Sequence, residues 1–481
     1  MNQLNVTLKK REISLLIVGI LLILVMTLFP YDFFFLEMGD ELTFSKLYEW
    51  LNKSSDISDI ILNLLLFIPL GFSLANILKC FNYSKWRSLF VITIISFGLS
   101  LTVEILQLFL PGRTSTPIDL FTNTLSGLFG GFLFQSISEL FLSKIEDLLT
   151  KIKQVISIQI LTLFFLIYFI LSCGLSMPLQ NTDKLWSLNN WDSDFPLVLG
   201  NELTGDRPWK GKIEQFCFIN KDISNQDIKQ ILASENICNY FSVNQTIISN
   251  EAVSDSSPIL ITSLTQRLLK TSEFTLAIQL ATANTNQTGP ARILSISKDL
   301  FQRNLTLGQW RSHLSIRLRT PVTGNNGTRP EFIIPNVLSD LKKHRILLIY
   351  NPFNLSVIID NIRQDYHLLL TPEMAWFWQL SPVPQGSIHL NSWNLLFYQI
   401  LYYCSIFFPL GWCLGLIVKR MRGKFSFYLL LISSGVIFPA VLFELLLSLQ
   451  GARMISGSNL LLSISITAIA CRLNCRKKKI G

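Results

Sequence analysis

Eight long apolar segments constrain the fold of this chain more than any other feature of its sequence. They cover residues 13–29, 57–78, 88–110, 117–138, 155–176, 394–418, 425–448 and 456–471. Segments of about 17–25 apolar residues can cross the hydrocarbon layer of a bilayer as helices. The first segment can be a signal peptide or a retained anchor, and its lack of a clear cleavage site favours a retained helix. We therefore predict a polytopic α-helical membrane protein, with the lipid bilayer as its surroundings.

The distribution of charge predicts the orientation of these helices. Only 15% of the 481 residues are charged, whereas soluble domains carry about 25%. Lysine and arginine concentrate in short loops, which the positive-inside rule assigns to the cytoplasm. These basic loops are residues 8–12, 79–87, 419–424 and 472–481. Threading the helices accordingly puts both termini in the cytoplasm and residues 177–392 outside it. The net charge of +9 then reflects topology, and we expect no nucleic-acid partner.

The polar block at 177–392 has the character of β-strands. Its stretches RILSIS and HLSIRLRT alternate apolar and polar residues with period two, which is typical of strands with one buried face. The stretch RILLIYNPFNLSVIID predicts a hairpin that turns at Pro352, Phe353 and Asn354. This spacing predicts an extracytoplasmic β-sandwich of the jelly-roll kind. Cys217 and Cys238 could form a disulfide there, although their spacing does not require one.

An internal repeat divides the apolar segments into two sets of four. LLFIPLGF at 65–72 recurs as IFFPLGW at 406–412. Four pairs of residues keep one offset of 340 positions: Pro69 with Pro409, Gly71 with Gly411, Glu104 with Glu444, and Arg113 with Arg453. We predict two parallel four-helix repeats with the sandwich inserted in the second, as in transporters with parallel repeats. The predicted domains are a four-helix membrane domain (1–140), a cytoplasmic loop with helix five (141–176), the sandwich (177–392), helices six to eight (393–472) and a basic cytoplasmic tail (473–481).

Polar residues within the first four segments define a candidate site near the outer face. They are Asp59 and Asn63 on the second helix, Glu104 and Gln107 on the third, Arg113 in the following loop, and Asp119 and Asn123 on the fourth. Ionisable groups inside membrane spans are costly and usually face a cavity or a partner. Asp119 could instead be a helix-capping acid that is stabilised by the helix dipole.

Comparison with the second set of helices distinguishes positions with a structural role from positions with a functional role. It keeps Glu444 and Arg453, but Asn459 stands at the position of Asp119 and Gln399 at that of Asp59. Glu104 and Arg113 can therefore be structural in both sets. The two aspartates mark the set that binds or reacts.

The motifs resemble those of the VanZ-like membrane family. They are D-x-x-x-N-x-x-L-F-I-P-L-G (59–71), EILQLFLPGR (104–113) and DLFTNTLSG (119–127), all within residues 13–138, and residues 155–471 contain what resembles a degenerate second copy in their last three helices. The resemblance implies a multi-pass protein of the bacterial cell (inner) membrane, in a family named for a link to glycopeptide resistance. It also implies a set of ligand-binding positions: Asp59, Asn63, Glu104, Gln107, Arg113, Asp119 and Asn123.

The polar block resembles a second family, the concanavalin A-like sandwiches of laminin G type. Residues 197–232 resemble the end of such a domain and residues 272–371 its earlier strands. The order is therefore swapped, as in a circular permutation.

Three functions remain open from the sequence. The first, which we favour, is an envelope protein that binds glycan or lipid-linked components at the outer leaflet. The second is a membrane enzyme on a lipid-linked or cell-wall substrate, with Glu104, Asp119 and Asp59 as candidate acids and bases. The third is a transporter, although the polar residues gather near one face rather than at the midplane. We expect no cofactor and no metal, and the sequence leaves the oligomeric state open.

Overall fold

The protein is described by a computed structural model that divides into two compact units, Met1–Val155 and Ile156–Gly481. The described residues are 13, 16–17, 19–28, 57–107, 110, 115–137, 157–238, 246–249, 257–287, 289, 291–380, 385–390, 394–421, 425–451 and 454–475. Arg113, Arg453 and the predicted loop at 31–56 lie outside them.

The described part of the first unit consists of helices. They are α1 (Gly19–Leu28), α2 (Ile57–Cys80), α3 (Lys85–Gln107) and α4 (Pro117–Ser136). Helix α4 begins where Thr116 caps it, since the Thr116 side chain accepts a hydrogen bond from the backbone N–H of Asp119. Pro117 follows in the first turn, where a missing N–H leaves no helical bond unmade. The start of α4 is therefore marked by its own local sequence.

The second unit combines helices with two β-sheets. Its α-helices are α5 (Ile158–Ser176), α6 (Thr182–Leu185), α7 (Asn225–Ala233), α8 (Thr262–Thr271), α9 (Pro372–Leu380), α10 (Asn394–Arg420), α11 (Phe425–Gln450) and α12 (Gly457–Cys475). Helix α12 runs three residues into the segment predicted as a basic tail.

Five helices among the described residues are long and apolar enough to cross a membrane. They are Ile60–Cys80, Lys85–Gln107, Ile158–Gln180, Leu395–Arg420 and Ser433–Gln450. The predicted multi-pass helical protein is thereby confirmed. A helix also lies at each of the other three predicted positions, but whether those cross the bilayer stays a prediction.

The strands between the fifth and sixth predicted spans form a β-sandwich-like region. They are β1 (Leu197–Leu199), β2 (Gly211–Ile219), β3 (Thr246–Ser249), β4 (Phe274–Thr282), β5 (Ala291–Ser297), β6 (Arg303–Trp310), β7 (His313–Leu318), β8 (Glu331–Ile334), β9 (His344–Asn351), β10 (Asn354–Ile359), β11 (Asn361–Leu369) and β12 (Ser387–His389). One sheet has the order β1-β5-β6-β7-β8-β12 and the other β11-β10-β9-β4-β2-β3. Strands β9 and β10 form the expected hairpin, in which Asn351 pairs with Asn354.

A disulfide joins Cys217 on β2 to Cys238, just after α7, with 5.7 Å between their Cα atoms. Both residues are buried in an apolar cluster with Ile219, Ala277 and Leu347. The bond therefore ties the segment that contains α7 to the sheet.

We expect the double replacement Cys217→Ala with Cys238→Ala to destabilise the sandwich by about 3 kcal/mol. The bridge closes a loop across a sequence separation of 21 residues, and cross-links of that length typically contribute 2–4 kcal/mol, largely by restricting the unfolded chain. Guanidinium unfolding of the full chain in detergent, followed by tryptophan fluorescence, measures the change. Cys80→Ser, at an exposed free cysteine, is the control that should leave the midpoint unchanged. Equal midpoints for all three proteins would contradict this prediction.

Candidate functional site

Glu104 on α3 anchors the segment that precedes α4. Its Oε2 atom accepts a hydrogen bond of 2.8 Å from the Ser115 hydroxyl and one of 3.0 Å from the backbone N–H of Thr116. The Glu104 side chain is buried within the unit, and so are both donors. Glu104 thus couples the end of one helix to the start of the next.

Asp119 lies in the first turn of α4 and is bonded from two sides. The Thr116 hydroxyl donates to its Oδ2 atom at 2.8 Å, and the Asn63 side-chain amide donates to its Oδ1 atom at 2.8 Å. Since Thr116 also touches Glu104, the two carboxylates are linked through a single residue. Helices α2, α3 and α4 therefore bring Asn63, Glu104 and Asp119 into one polar cluster.

Asn123 extends this cluster one turn further along α4. Its amide nitrogen donates to the Ser100 hydroxyl on α3 at 3.0 Å. Its Oδ1 atom is buried and has no hydrogen-bond partner among the described residues. Ser126 follows on the same face and donates to the backbone carbonyl of Leu64 on α2. The polar face of α4 is therefore turned towards the two neighbouring helices.

Close backbone contact makes this arrangement possible. A Cβ atom added to Gly71 on α2 would overlap the carbonyl of Gly127 on α4, and one added to Gly130 would overlap the carbonyl of Ile68. Small residues at such positions let helices approach closely in membranes. The SGLFGG stretch at 126–131 thus holds α4 against α2 beside the polar cluster.

The remaining predicted site residues lie elsewhere or outside the described part. Gln107 does not join the cluster; its amide donates to the carbonyl of Thr27 on α1 at 3.0 Å. Asp59 lies in α2, but its side chain, like the whole of Arg113, is outside the described residues. Sequence reasoning missed Ser115, just before α4, and Ser100, within α3, as partners, because a single serine in or beside a span carries no signal of its own.

The helices of the second unit contain a closely similar set of contacts. Glu444 on α11 accepts a 3.0 Å hydrogen bond from the backbone N–H of Ser456, just before α12. Ser456 in turn accepts a long hydrogen bond of 3.4 Å from the N–H of Asn459. Each of these residues stands 340 positions after Glu104, Thr116 or Asp119.

The two sets differ at the residues that face each other across the helices. Gln399 on α10 donates to the Oδ1 atom of Asn459, so an amide pair occupies the positions of Asp59 and Asp119. Tyr403 stands at the position of Asn63, and its hydroxyl contacts Oε2 of Glu444 at 3.3 Å. At the positions 340 residues later, the second set also has a glutamate, but it has neutral amides where the first set has aspartates.

Fold and site together define a multi-pass α-helical membrane protein that also has a β-sandwich-like region. Residues 16–141 match the family model described as VanZ/LLP1, so this segment, which contains the whole polar cluster, is similar to that family. The match spans 126 of the 481 residues. No curated protein and no solved structure matches the chain. Within the described residues, no group of three or more His, Cys, Asp or Glu side chains is arranged to hold a metal ion.

Proposed function

We propose that this protein binds a lipid-linked or glycan component of the bacterial cell envelope through the polar cluster of Asn63, Glu104, Asp119 and Asn123. The similarity of residues 16–141 to VanZ/LLP1 supports the envelope setting. The ligand enters from the outer face, where the charge pattern of the loops puts this end of the helices. Asp59 belongs to the same site.

The observation that carries this proposal is a buried carboxylate next to a buried acceptor without a partner. Asp119 is 8% exposed and Asn123 is 1% exposed, and the Oδ1 atom of Asn123 has no hydrogen-bond partner among the described residues. Buried polar groups without partners are costly, so each one in a folded protein calls for an explanation. Ionised carboxylates and amide oxygens only accept hydrogen bonds. The ligand group at this site is therefore a donor, such as the hydroxyls or amine of a polar head group.

Internal duplication supports the assignment of Asp119 and Asp59. We infer two parallel four-helix repeats, because contacts made by Glu104 and Thr116 recur at Glu444 and Ser456 with one offset. Gln399 and Asn459, which are in contact, stand 340 positions after Asp59 and Asp119, and this correspondence supports assigning both aspartates to one site. The second repeat keeps the framework contact of the glutamate and replaces the aspartates by amides. It serves as a scaffold, and the first repeat binds the ligand.

The β-sandwich-like region lies outside the cytoplasm in this proposal. Its disulfide between Cys217 and Cys238 fits an oxidising compartment, and both chain termini are then cytoplasmic. The region is a permuted laminin G-type domain that presents a second binding surface to envelope glycans.

The variant Asp119→Asn tests the binding site. It keeps the side-chain shape and one acceptor oxygen but removes the charge, and hydrogen bonds to charged groups contribute roughly 1.5–3 kcal/mol. We expect about a 10-fold loss of the lipids with hydroxyl or amine head groups that remain bound after extraction into mild detergent. Mass spectrometry of the lipids that co-purify from bacterial membranes measures the loss.

Asn459→Asp is the matched control, because it changes the equivalent position of the second repeat. We expect it to retain wild-type lipids, and both variants must insert and elute as the wild type does. If Asp119→Asn protein keeps the same lipids in the same amount, the polar cluster is not the binding site.

One contact favours catalysis as a second candidate function. Thr116 donates its backbone N–H to Glu104 and its hydroxyl to Asp119, so one residue holds two carboxylates that could serve as acid and base. An enzyme would turn over the lipid-linked material that it binds. Purified wild-type protein incubated with the co-purifying lipid fraction should then release a product that Asp119→Asn protein does not release.

A further inference from the structure

One face of the sheet with the order β1-β5-β6-β7-β8-β12 is polar and yet buried. On this face Ser295 pairs with Thr306, and Thr306 pairs with Arg317. All the residues of β5 are buried, as are those of β6 except its last. The opposite face carries Leu294, Leu307 and their neighbours and is ordinary apolar core. The polar face therefore needs an explanation of its own.

Five charged side chains gather on this face, and we call them the arginine cluster: Glu202, Arg292, Arg303, Arg317 and Glu331. Glu202 lies between two guanidinium groups, with Oε1 at 3.2 Å from Nη2 of Arg303 and Oε2 at 3.6 Å from Nε of Arg292. The side chains of these three residues are at most 2% exposed. This half of the cluster is sealed from solvent.

The other half of the cluster reaches the surface. Arg317 Nη2 lies 3.0 Å from Oε2 of Glu331, and both side chains are 16% exposed. The Ser315 hydroxyl also donates to Glu331, so this carboxylate is well satisfied. The cluster therefore meets solvent on this side.

The charges in the cluster do not balance. Three guanidinium groups face two carboxylates, which leaves one positive charge in excess. Burial, with Arg317 and Arg303 nearby, lowers the pKa of Arg292 to about 9. The nearby carboxylate of Asp299 lies at the surface and accepts hydrogen bonds from the backbone N–H groups of Phe301 and Gln302, so it does not supply the missing buried charge. An uncompensated buried charge is strongly unfavourable.

Several donors of the cluster also have no hydrogen-bond partner. Among the described residues, Nη1 of Arg292, Nη1 and Nε of Arg303 and the Thr306 hydroxyl are buried and unbonded. Both oxygens of Glu202 also lack a hydrogen bond, so their contacts with Arg292 and Arg303 are ion pairs only. Buried donors of this kind are costly unless a water or an ion satisfies them. A bound anion would supply both the missing negative charge and the missing hydrogen-bond acceptors.

We propose that the polar face of this sheet binds one monovalent anion, held by Arg292, Arg303 and Thr306 and admitted beside Arg317 and Glu331. The anion is either a free small ion or the carboxylate of a larger ligand, since both supply one negative charge and acceptor atoms. This site is independent of the polar cluster in the membrane helices.

Hydrogen exchange of the full chain in detergent tests the proposal. Peptides that cover residues 291–318 are followed by mass spectrometry in chloride, acetate or glucuronate, with a bulky sulfonate buffer ion as the reference. Sodium and ionic strength are held constant. A ligand that binds only the folded state raises protection against exchange through unfolding by a factor of one plus the ratio of ligand concentration to Kd, which is about 100-fold at a hundred times its Kd. We expect protection that rises with concentration for at least one of the small anions or glucuronate.

The anion that protects most tightly identifies the source of the charge. Equal protection by chloride or acetate indicates a free ion, and tighter protection by glucuronate indicates the carboxylate of a larger ligand. Both results support an anion site. Identical exchange in all four salts would overturn it.

Two variants change the charge of the cluster in opposite directions. Arg292→Met leaves two arginines against two glutamates and should abolish the anion dependence. Glu202→Gln leaves three arginines against one glutamate and should make the dependence stronger. If Glu202→Gln protein does not fold, Arg292→Met alone decides the matter. An unchanged anion response in folded Arg292→Met protein contradicts the assignment.

Discussion

Replacing Gly71 by alanine should unfold or dissociate the first helical unit more severely than any other single-methyl change there. The added Cβ would overlap the carbonyl oxygen and carbon of Gly127, which are backbone atoms and cannot rotate away. Ordinary overpacking costs 1–3 kcal/mol because side chains can adjust. Here α2 and α4 must separate, and we expect a loss of about 4 kcal/mol. The hydrogen bond from Asn63 to Asp119 crosses the same interface and should be lost with it.

Gly98→Ala is the matched control for this prediction. Gly98 lies in α3, and a Cβ atom there would have no heavy atom within 4 Å. Alanine in place of an exposed helical glycine stabilises by up to about 1 kcal/mol. Thermal unfolding in detergent, with the fraction of monodisperse protein, measures both variants. If Gly71→Ala and Gly98→Ala proteins unfold at the same temperature, the close contact of α2 with α4 does not contribute to stability.

Glu104→Ala should be the most damaging side-chain deletion in the polar cluster. It leaves the Ser115 hydroxyl and the Thr116 N–H without their acceptor, and both residues are at most 2% exposed. A buried donor left unsatisfied costs about 1–3 kcal/mol, so the two together should cost about 4 kcal/mol. The start of α4 would loosen, and Asp119 would lose its alignment.

Glu104→Gln distinguishes the contribution of the Glu104 hydrogen bonds from that of its negative charge. Glutamine keeps an oxygen that can accept from Ser115 and Thr116, so we expect it to retain most of the stability that alanine removes. Thermal unfolding of the two variants is compared with lipid retention, and Glu444→Gln in the second unit serves as the control. Should alanine and glutamine destabilise equally, the negative charge of Glu104 rather than its two hydrogen bonds is what the fold requires.

Much of the candidate site could be predicted from the sequence, because helical periodicity fixes which residues share a face. Asp119 and Asn123 stand four residues apart on α4 and do lie on one side of it. Gln107 shows the limit of this reasoning. Its spacing from Glu104 allows one shared face, but Gln107 bonds to Thr27 on α1 and Glu104 bonds to the start of α4. Residue spacing fixes the direction in which a side chain leaves its helix. Its hydrogen-bond partner depends on which neighbouring helix packs on that side.

In the β-sandwich-like region the strands were predictable and their neighbours were not. Period-two alternation and the turn at Pro352 and Phe353 indicated the β9–β10 hairpin, since its contacts are local. The arginine cluster had no such signal. Arg292, Arg303 and Arg317 look in the sequence like exposed alternating positions, and only the sheet order and Glu202 reveal that they are buried.

The apolar segments, the motif residues and the fixed offset of 340 determined from sequence alone that this chain is a multi-pass membrane protein with matching polar positions in both halves. These features are local or periodic along the chain, so they can be recognised without knowledge of the fold. Tertiary structure decided which polar atoms meet: Glu104 with Ser115 and Thr116, Asp119 with Asn63, and three arginines with two glutamates. Hydrogen bonds and charge pairs between distant residues depend on distances of a few ångströms. Helix packing and strand pairing set those distances, and residue order alone does not.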